Sequence, residues 1–503
     1  MGYRVWARSS SSSAQGMSTS SIATALRRQV ASWESTGDRD QARKSRFRVQ
    51  QPASVAVAAS RRAARGRWVR RRIDRLYGPR EPEGSPGIRA YGAAPRAAAR
   101  GVSSRMARES PLLPAHERAD ALVMPYGGEG GVGAIPVVAT YGELELEYAA
   151  LRKGVALIDC PQRGVLEMTG AERIGFLNRM VTQELKGLGA GAVRRSFWLN
   201  RKGRIDADLR IVELGGRTLL EVDAHAAART FAGLGSFIIM DDATIADRTE
   251  AVHRLSLHGP RAARLLAAVG AEALAALSPG LAAEAVIAGA SCVAWREDSA
   301  GVPGFELIVP VADAAGVYRA LVEAGHDPEH GAAALRAESG SAAREIGLRP
   351  AGWHAWNIAR IEAGTPVYNI DFGPGSLPAE TGVLDDRVSF TKGCFLGQEV
   401  VARMHSRGHS KQALVGVRFG SITDESTGLA RLPEAGGTVT LASGEAVGAI
   451  TSSTLAPMLG SAPIAFAAVK VAHAAAGTHV VAEVGGTAVA GAITAGLRFL
   501  APA

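Results

Sequence analysis

Residues Lys392-Gly393-Cys394-Phe395-Leu396-Gly397-Gln398-Glu399 place a cysteine directly behind a lysine and a glycine. A second glycine follows three residues on, with an amide–carboxylate pair behind it. The 503-residue chain has only three cysteines, so one inside so patterned a stretch invites a chemical reading. A thiol acts as nucleophile or metal ligand in its thiolate form, and a neighbouring lysine favours that form. The flanking glycines let the backbone turn sharply or approach a partner closely. The competing reading is an inert buried side chain, since free cysteine is among the most buried residue types.

Working outward, Arg360-Ile361-Glu362-Ala363-Gly364-Thr365-Pro366 lies upstream, then Tyr368-Asn369-Ile370-Asp371-Phe372, then Leu377-Pro378-Ala379-Glu380. Downstream comes Val400-Val401-Ala402-Arg403. This ordered series resembles the YgfZ family, folate-binding proteins of iron–sulfur cluster assembly or repair. That family is a branch of the superfamily of the glycine-cleavage T protein, an aminomethyltransferase. The resemblance covers roughly residues 140–500.

The resemblance implies an α+β fold of the T-protein type: a multidomain ring of two α/β-type domains with a small C-terminal β-barrel. It implies tetrahydrofolate or a derivative as cofactor, with no stably bound iron–sulfur cluster. It assigns cofactor contacts to Arg360, Tyr368, Glu306 and Asp371, and chemistry to Cys394, Lys392 and Asp208. Gly393, Gly397, Gln398, Glu399 and Arg403 complete the motif. Several positions separate the branches. Ala207 stands where the T protein has the first of two paired acids, and Asp208 matches the second. Cys394 stands where the T protein has an aspartate. The threonine-glycine-glutamate-aspartate run that precedes Glu306 in the T protein is replaced by Ala300-Gly301-Val302-Pro303. These changes weaken acid–base chemistry, which needs a titratable group within reach of the transferred proton, and argue against an active aminomethyltransferase.

Each residue also has a bland alternative. Arg360 can grip a ligand carboxylate with two parallel bonds or pair with an acid of the protein. Tyr368 can stack on a pterin or sit in the core. Asp208 and Glu306 can be ordinary strand carboxylates. One thiolate cannot hold a cluster, and no metal site is expected. His405 and His409 would share a helix face, but Gly408 between them weakens the helix.

Three cysteines cannot build a disulfide framework, which favours a reducing compartment. No apolar run is long enough for a transmembrane helix. The net charge of +9 is unevenly spread: residues 1–123 hold 24 Lys/Arg against 9 Asp/Glu, leaving 33 and 39 in the remainder. Direct nucleic-acid binding by the acidic body is therefore not expected. Serine runs and the arginine clusters Arg61–Arg67 and Arg70–Arg72 give residues 1–123 the composition of a chain that cannot bury enough apolar surface to fold. They read as a basic extension: upstream sequence ahead of a later start at Met106 or Met124, a targeting segment, or an arm contacting RNA or membrane.

From Tyr141 short strands alternate with amphipathic helices. Helices are expected over 143–154, 171–180, 224–237, 262–269 and 312–323. Strands are expected over 155–159, 164–168, 196–199, 205–212, 218–222, 254–257 and 304–310. This alternation indicates an α/β or α+β body over 140–410 with two subdomains. Regularly spaced apolar strands over 411–503 suggest a small barrel. The expected function is a tetrahydrofolate-binding factor for iron–sulfur cluster assembly or repair. Such a factor indirectly supports cluster-dependent enzymes, tRNA-modifying ones included, with assembly or client proteins as partners. The alternatives are a folate-dependent aminomethyltransferase and an RNA- or partner-binding protein. The expected location is the bacterial cytoplasm, or an organelle matrix if the N-terminal segment is a targeting peptide.

Overall fold

Strand Val155–Asp159 is buried at all five positions. This β-branched, apolar run belongs in the interior of a sheet covered on both faces. In the computed structural model, which describes residues 108–127, 133–325, 346–408, 410–423 and 430–501, it lies inside a six-stranded sheet. The order is Ala282–Ile287, Ala290–Arg296, Gly304–Pro310, Val252–His258, Val155–Asp159, Leu348–Pro350. Only the last pair is parallel. A second sheet of five antiparallel strands runs Val193–Leu199, Ile205–Glu213, Thr218–Asp223, Arg163–Thr169, Thr244–Asp247.

The two sheets share a core. Val165, Val193, Val212 and Leu219 from the five-stranded sheet meet Val293, Trp295 and Ile308 from the six-stranded one. Full burial of such side chains stabilises by about 1.5–3 kcal/mol each. Helix Leu144–Lys153 buries Leu144, Tyr148 and Leu151 at helical spacing, with Glu145 and Glu147 in its first turn and Arg152 and Lys153 in its last. That charge order complements the helix dipole.

The third unit is a closed six-stranded barrel in the order Gln412–Phe419, Ala462–Lys470, Ala446–Ala456, Thr438–Thr440, His479–Val484, Thr487–Ile493. The α+β class and the C-terminal barrel are thus both present. Helix Trp353–Glu362, which periodicity did not reveal, packs on both helix Leu144–Lys153 and barrel strand Ala446–Ala456. Gly352 caps it where an added Cβ would lie 2.3 Å from the Ala139 carbonyl oxygen, so no side chain fits. The hairpin Ala282–Ile287/Ala290–Arg296 was also missed. Its alanines and polar residues give little alternation.

The start of the body is corrected by the structure. Residues 1–107 lie outside the described residues, but 108–123 are folded. Helix Leu113–Arg118 and strand Leu122–Tyr126 pack on the body, with Leu112 1% exposed in its core. Ser110 donates to Asp159 at 2.5 Å, and His116 Nε2 meets the same carboxylate at 2.8 Å. Polar anchors of this kind leave no apolar period to read. Among the described residues no helix is long and apolar enough to cross a membrane.

Candidate functional site

Charged residues alternate along the strands that face one another between the two sheets, and they form the floor of a central pocket. The pocket is lined from both sheets and is partly open to solvent. Arg163 donates to Glu221 at 2.6 Å, and Arg254 donates to Glu221 at 3.0 Å and pairs with Glu306. Arg210 bridges Asp208 and Glu297, both at 3.1 Å. Arg387 donates to Asp208 at 2.9 Å.

Burial acts to raise the pKa of Asp208, but Arg387, Arg210 and Arg195 outweigh it and hold the carboxyl below its ordinary range. Burial likewise opposes ionisation of Glu297 and is overcome by Arg210 and Arg195. The floor is therefore a layer of paired, ionised groups. Burial pushes the pKa of His258 down, leaving a neutral imidazole at neutral pH. Four buried polar atoms on pocket-lining residues have no partner: Gln162 Oε1, Arg254 Nε, His258 Nδ1 and Ser299 Oγ. Unpaired buried polar groups cost about 1–3 kcal/mol each, so a set of them around one cavity is what a polar ligand would satisfy.

Four aromatic residues also line the pocket. Trp353 and Trp356 from helix Trp353–Glu362 lie 5.1 Å apart, and Tyr126 and Tyr368 are the other two. Tyr368 donates to the Asp206 carbonyl at 2.8 Å and accepts from Arg229 at 3.0 Å. The residue is 2% exposed, and its ring packs edge-on against Phe372 at 5.8 Å between centroids.

The structure divides the residues singled out from sequence. Asp208, Glu306 and Tyr368 line the pocket. Glu306 is 1% exposed and accepts from Ser256. Arg360 and Asp371, expected as cofactor contacts, do not line it. Arg360 donates to Asp371 at 2.6 Å, Ser452 at 2.8 Å and Asn357 at 2.8 Å. Asp371 also accepts from Thr451 at 2.9 Å. The fully buried pair joins the body to the barrel, and its donors are committed to protein oxygens.

Cys394 lies on an exposed loop and does not line the pocket. Lys392 is 6% exposed and donates to the carbonyls of Asn178, Val181 and Gln183 at 2.7, 2.7 and 2.9 Å. Burial pushes its pKa down to about 8. Its ammonium, expected from sequence to act on the thiol, here caps the end of helix Arg173–Met180. Gly397, at φ +82°, caps helix Gln398–Arg407. An added Cβ there would lie 2.8 Å from the Asn200 carbonyl oxygen. Gly393 faces open space. Gln398 is half-buried, while Glu399 and Arg403 are exposed on that helix. His405 stacks on Phe390 at 3.9 Å between ring centroids, and His409 lies outside the described residues. Among the described residues no group of three or more His, Cys, Asp or Glu is placed to hold a metal.

Sequence reasoning missed Tyr126, Gln162, Arg163, Arg210, Arg254, His258, Glu297 and the two tryptophans. One signal was available: tryptophans at 353 and 356, one helical turn apart, in a chain poor in aromatics. The arginines carried no such signal, because their partners lie on other strands.

Residues 138–341 match the family description "GCVT N-terminal domain", and residues 421–497 match "Glycine cleavage T-protein C-terminal barrel domain". The chain is 28% identical over 387 residues to the aminomethyltransferase of Symbiobacterium thermophilum, covering 74% of this chain and 92% of that protein. It is 29% identical over 354 residues to that of Moorella thermoacetica, covering 70% and 87%. The crystal structure of glycine cleavage system aminomethyltransferase T from Bartonella henselae shares the fold, with a TM-score of 0.67 at 22% identity, covering 79% of this chain and 99% of that one.

Proposed function

Because the chain belongs to the glycine-cleavage T-protein superfamily, we propose that its central pocket binds tetrahydrofolate or a derivative and that the protein acts as a folate-dependent, aminomethyltransferase-like enzyme. One observation carries this reading: a single pocket is lined both by four aromatic side chains and by a set of charged and polar ones, four of which have an unpaired buried atom. A reduced folate presents a flat heterocycle edged with hydrogen-bonding groups and a second ring beyond it. The residues present fit that shape and chemistry.

In this reading Glu306, steadied by Ser256, Gln162, His258 and Ser299 hold the heterocycle edge. Tyr368 and Trp356 supply ring faces. Bound tetrahydrofolate would supply the nitrogen that accepts a one-carbon unit. Asp208 is held ionised by its arginines, so it serves as a fixed negative charge beside a centre that becomes positive, in the manner of preorganised electrostatic stabilisation. It is not poised to donate a proton. Ala207 is fully buried in the sheet, and no second acid replaces the one absent there. The relatives named aminomethyltransferase, matched over most of their length, support transfer chemistry over a purely structural use of the folate.

Cys394 favours a second reading, as a factor of iron–sulfur cluster assembly or repair. Cys160 and Cys292 are buried, and burial pushes their thiols up to about 12 and about 11, while Cys394 is exposed. A soft, accessible thiol can ligate transiently with ligands from a partner.

The test supplies purified protein with tetrahydrofolate and an aminomethyl-lipoyl donor and measures binding and the one-carbon product. Saturable binding with product, and loss of product in Asp208→Asn, is expected. Binding without product would favour the second reading if the protein also restores a cluster-dependent enzyme in cells and Cys394→Ala does not. Absence of folate binding would overturn both.

A further inference from the structure

Tyr126 reaches the pocket from a part of the chain that precedes the matched family region beginning at residue 138. It ends strand Leu122–Tyr126, which pairs with Ile135–Thr140. Its ring is held from several sides. Its hydroxyl donates to Asp223 Oδ2 at 2.5 Å. The other oxygen of Asp223 accepts from the backbone of His225 at 2.9 Å, which starts helix Ala224–Gly235. The His225 ring stacks on Tyr126 at 5.9 Å and 12°, and its Nε2 meets the Tyr126 carbonyl at 3.1 Å. Trp353 packs on the ring at 5.6 Å.

The segment that carries Tyr126 is fastened at its far end too. The Arg108 guanidinium donates to the carbonyls of Pro161, Thr249 and Val252 at 2.9, 2.7 and 3.0 Å. Ser110 and His116 both meet Asp159. Tyr126 is 6% exposed and shares a small core cluster with Ile135 and Val137, and a buried tyrosine hydroxyl normally finds a partner; what sets this ring apart is that it also lines the cavity. The tether fixes the ring plane, and a fixed plane is what selects a flat ligand over a flexible one.

We propose that Tyr126, positioned by Asp223 and carried on the strap of residues 108–126, is a specificity-determining wall of the pocket that grips the second aromatic ring of the ligand beyond its heterocycle. This rests on the folate reading above. The strap is therefore part of the binding site.

The experiment compares full-length wild type with Tyr126→Leu, using tetrahydrofolate and a bare tetrahydropterin that lacks the aminobenzoyl-glutamate portion. Tyr126→Leu is expected to weaken tetrahydrofolate about tenfold, the worth of one aromatic contact, and to leave the bare pterin within about twofold. A folding defect would weaken both alike, and an equal loss overturns the proposal. So does unchanged affinity for tetrahydrofolate. A second measurement needs no variant: amide exchange of strand Leu122–Tyr126 in wild type should slow when tetrahydrofolate is bound, and unchanged exchange overturns the proposal. If wild type binds no tetrahydrofolate, the folate reading falls and this inference with it. Binding by wild type with unaltered discrimination in the variant sinks this inference alone.

Discussion

The pocket floor and the Cys394 loop use polar residues in opposite ways. On the floor, arginines and carboxylates sit on facing strands, buried and paired, so their charge is fixed in place. On the loop, one buried lysine is spent on three backbone carbonyls, and the cysteine beside it faces solvent. The floor can recognise and stabilise charge without moving. The loop offers an accessible thiol whose position depends on how the turn around it is held. Motif strength in sequence therefore pointed to a surface loop, while the pocket lies between the two sheets.

The comparison breaks first at the buried pairs. Arg360→Ala leaves Asp371 buried without its partner and should destabilise the protein by about 3–5 kcal/mol. Chemical denaturation should show this loss, and the remaining folded protein should bind folate with nearly wild-type affinity. A selective loss of folate affinity at unchanged stability would return Arg360 to the binding site.

The loop gives a sharper contrast within itself. Gly397→Ala meets both a positive φ and the Asn200 carbonyl, and should cost about 2 kcal/mol. Gly393→Ala meets nothing and should stay within about 0.5 kcal/mol. Equal effects in thermal melts would mean the turn is not held as described.

Acid separates the floor from the rest. The depressed pKa of Asp208 means that its stabilisation is present above the unfolded value of about 3.9 and is lost as pH falls through the lower folded value. Asp208→Asn should therefore flatten part of the acid limb of a stability–pH curve, with the gap to wild type closing as pH drops. Lys392 works at the other end. Its penalty is present below about 8 and is relieved as pH rises toward the unfolded value of about 10.4. Wild type should gain stability relative to Lys392→Met over that window, and a flat difference would mean the ammonium is better solvated than its burial implies.

The smallest effect belongs to Cys394→Ala, expected within about 0.5 kcal/mol of wild type. A maleimide should label native protein at Cys394 and spare Cys160 and Cys292. Labelling of either buried thiol before unfolding would contradict their burial.

Much of the fold was legible because it rests on local periodicity. The helices at 144–153, 224–235 and 314–325 and most barrel strands follow apolar spacing that needs no distant partner. The helix at 353–362 was missed although Ala355, Ile358 and Ala359 stand at helical spacing, because the stripe is short and built largely of alanine. Its burial comes from two neighbours contributed by distant sequence. Of the residues singled out from motifs, Asp208 and Glu306 sit on strands that line the pocket. At Arg360 the sequence left two readings open, a ligand carboxylate or an acid of the protein, and the structure pairs it with Asp371 and Ser452.

The sequence alone determined the α+β class, the C-terminal barrel and the scarcity of reactive thiols, because these follow from periodicity, spacing and composition, and its motif series carried the resemblance to the superfamily. Only the tertiary structure decided which charges face each other, that Tyr126 belongs to the pocket and that Arg360 does not. Such pairings are set by side chains far apart in the chain, brought within about 3 Å by sheet register and packing, and no local pattern encodes them.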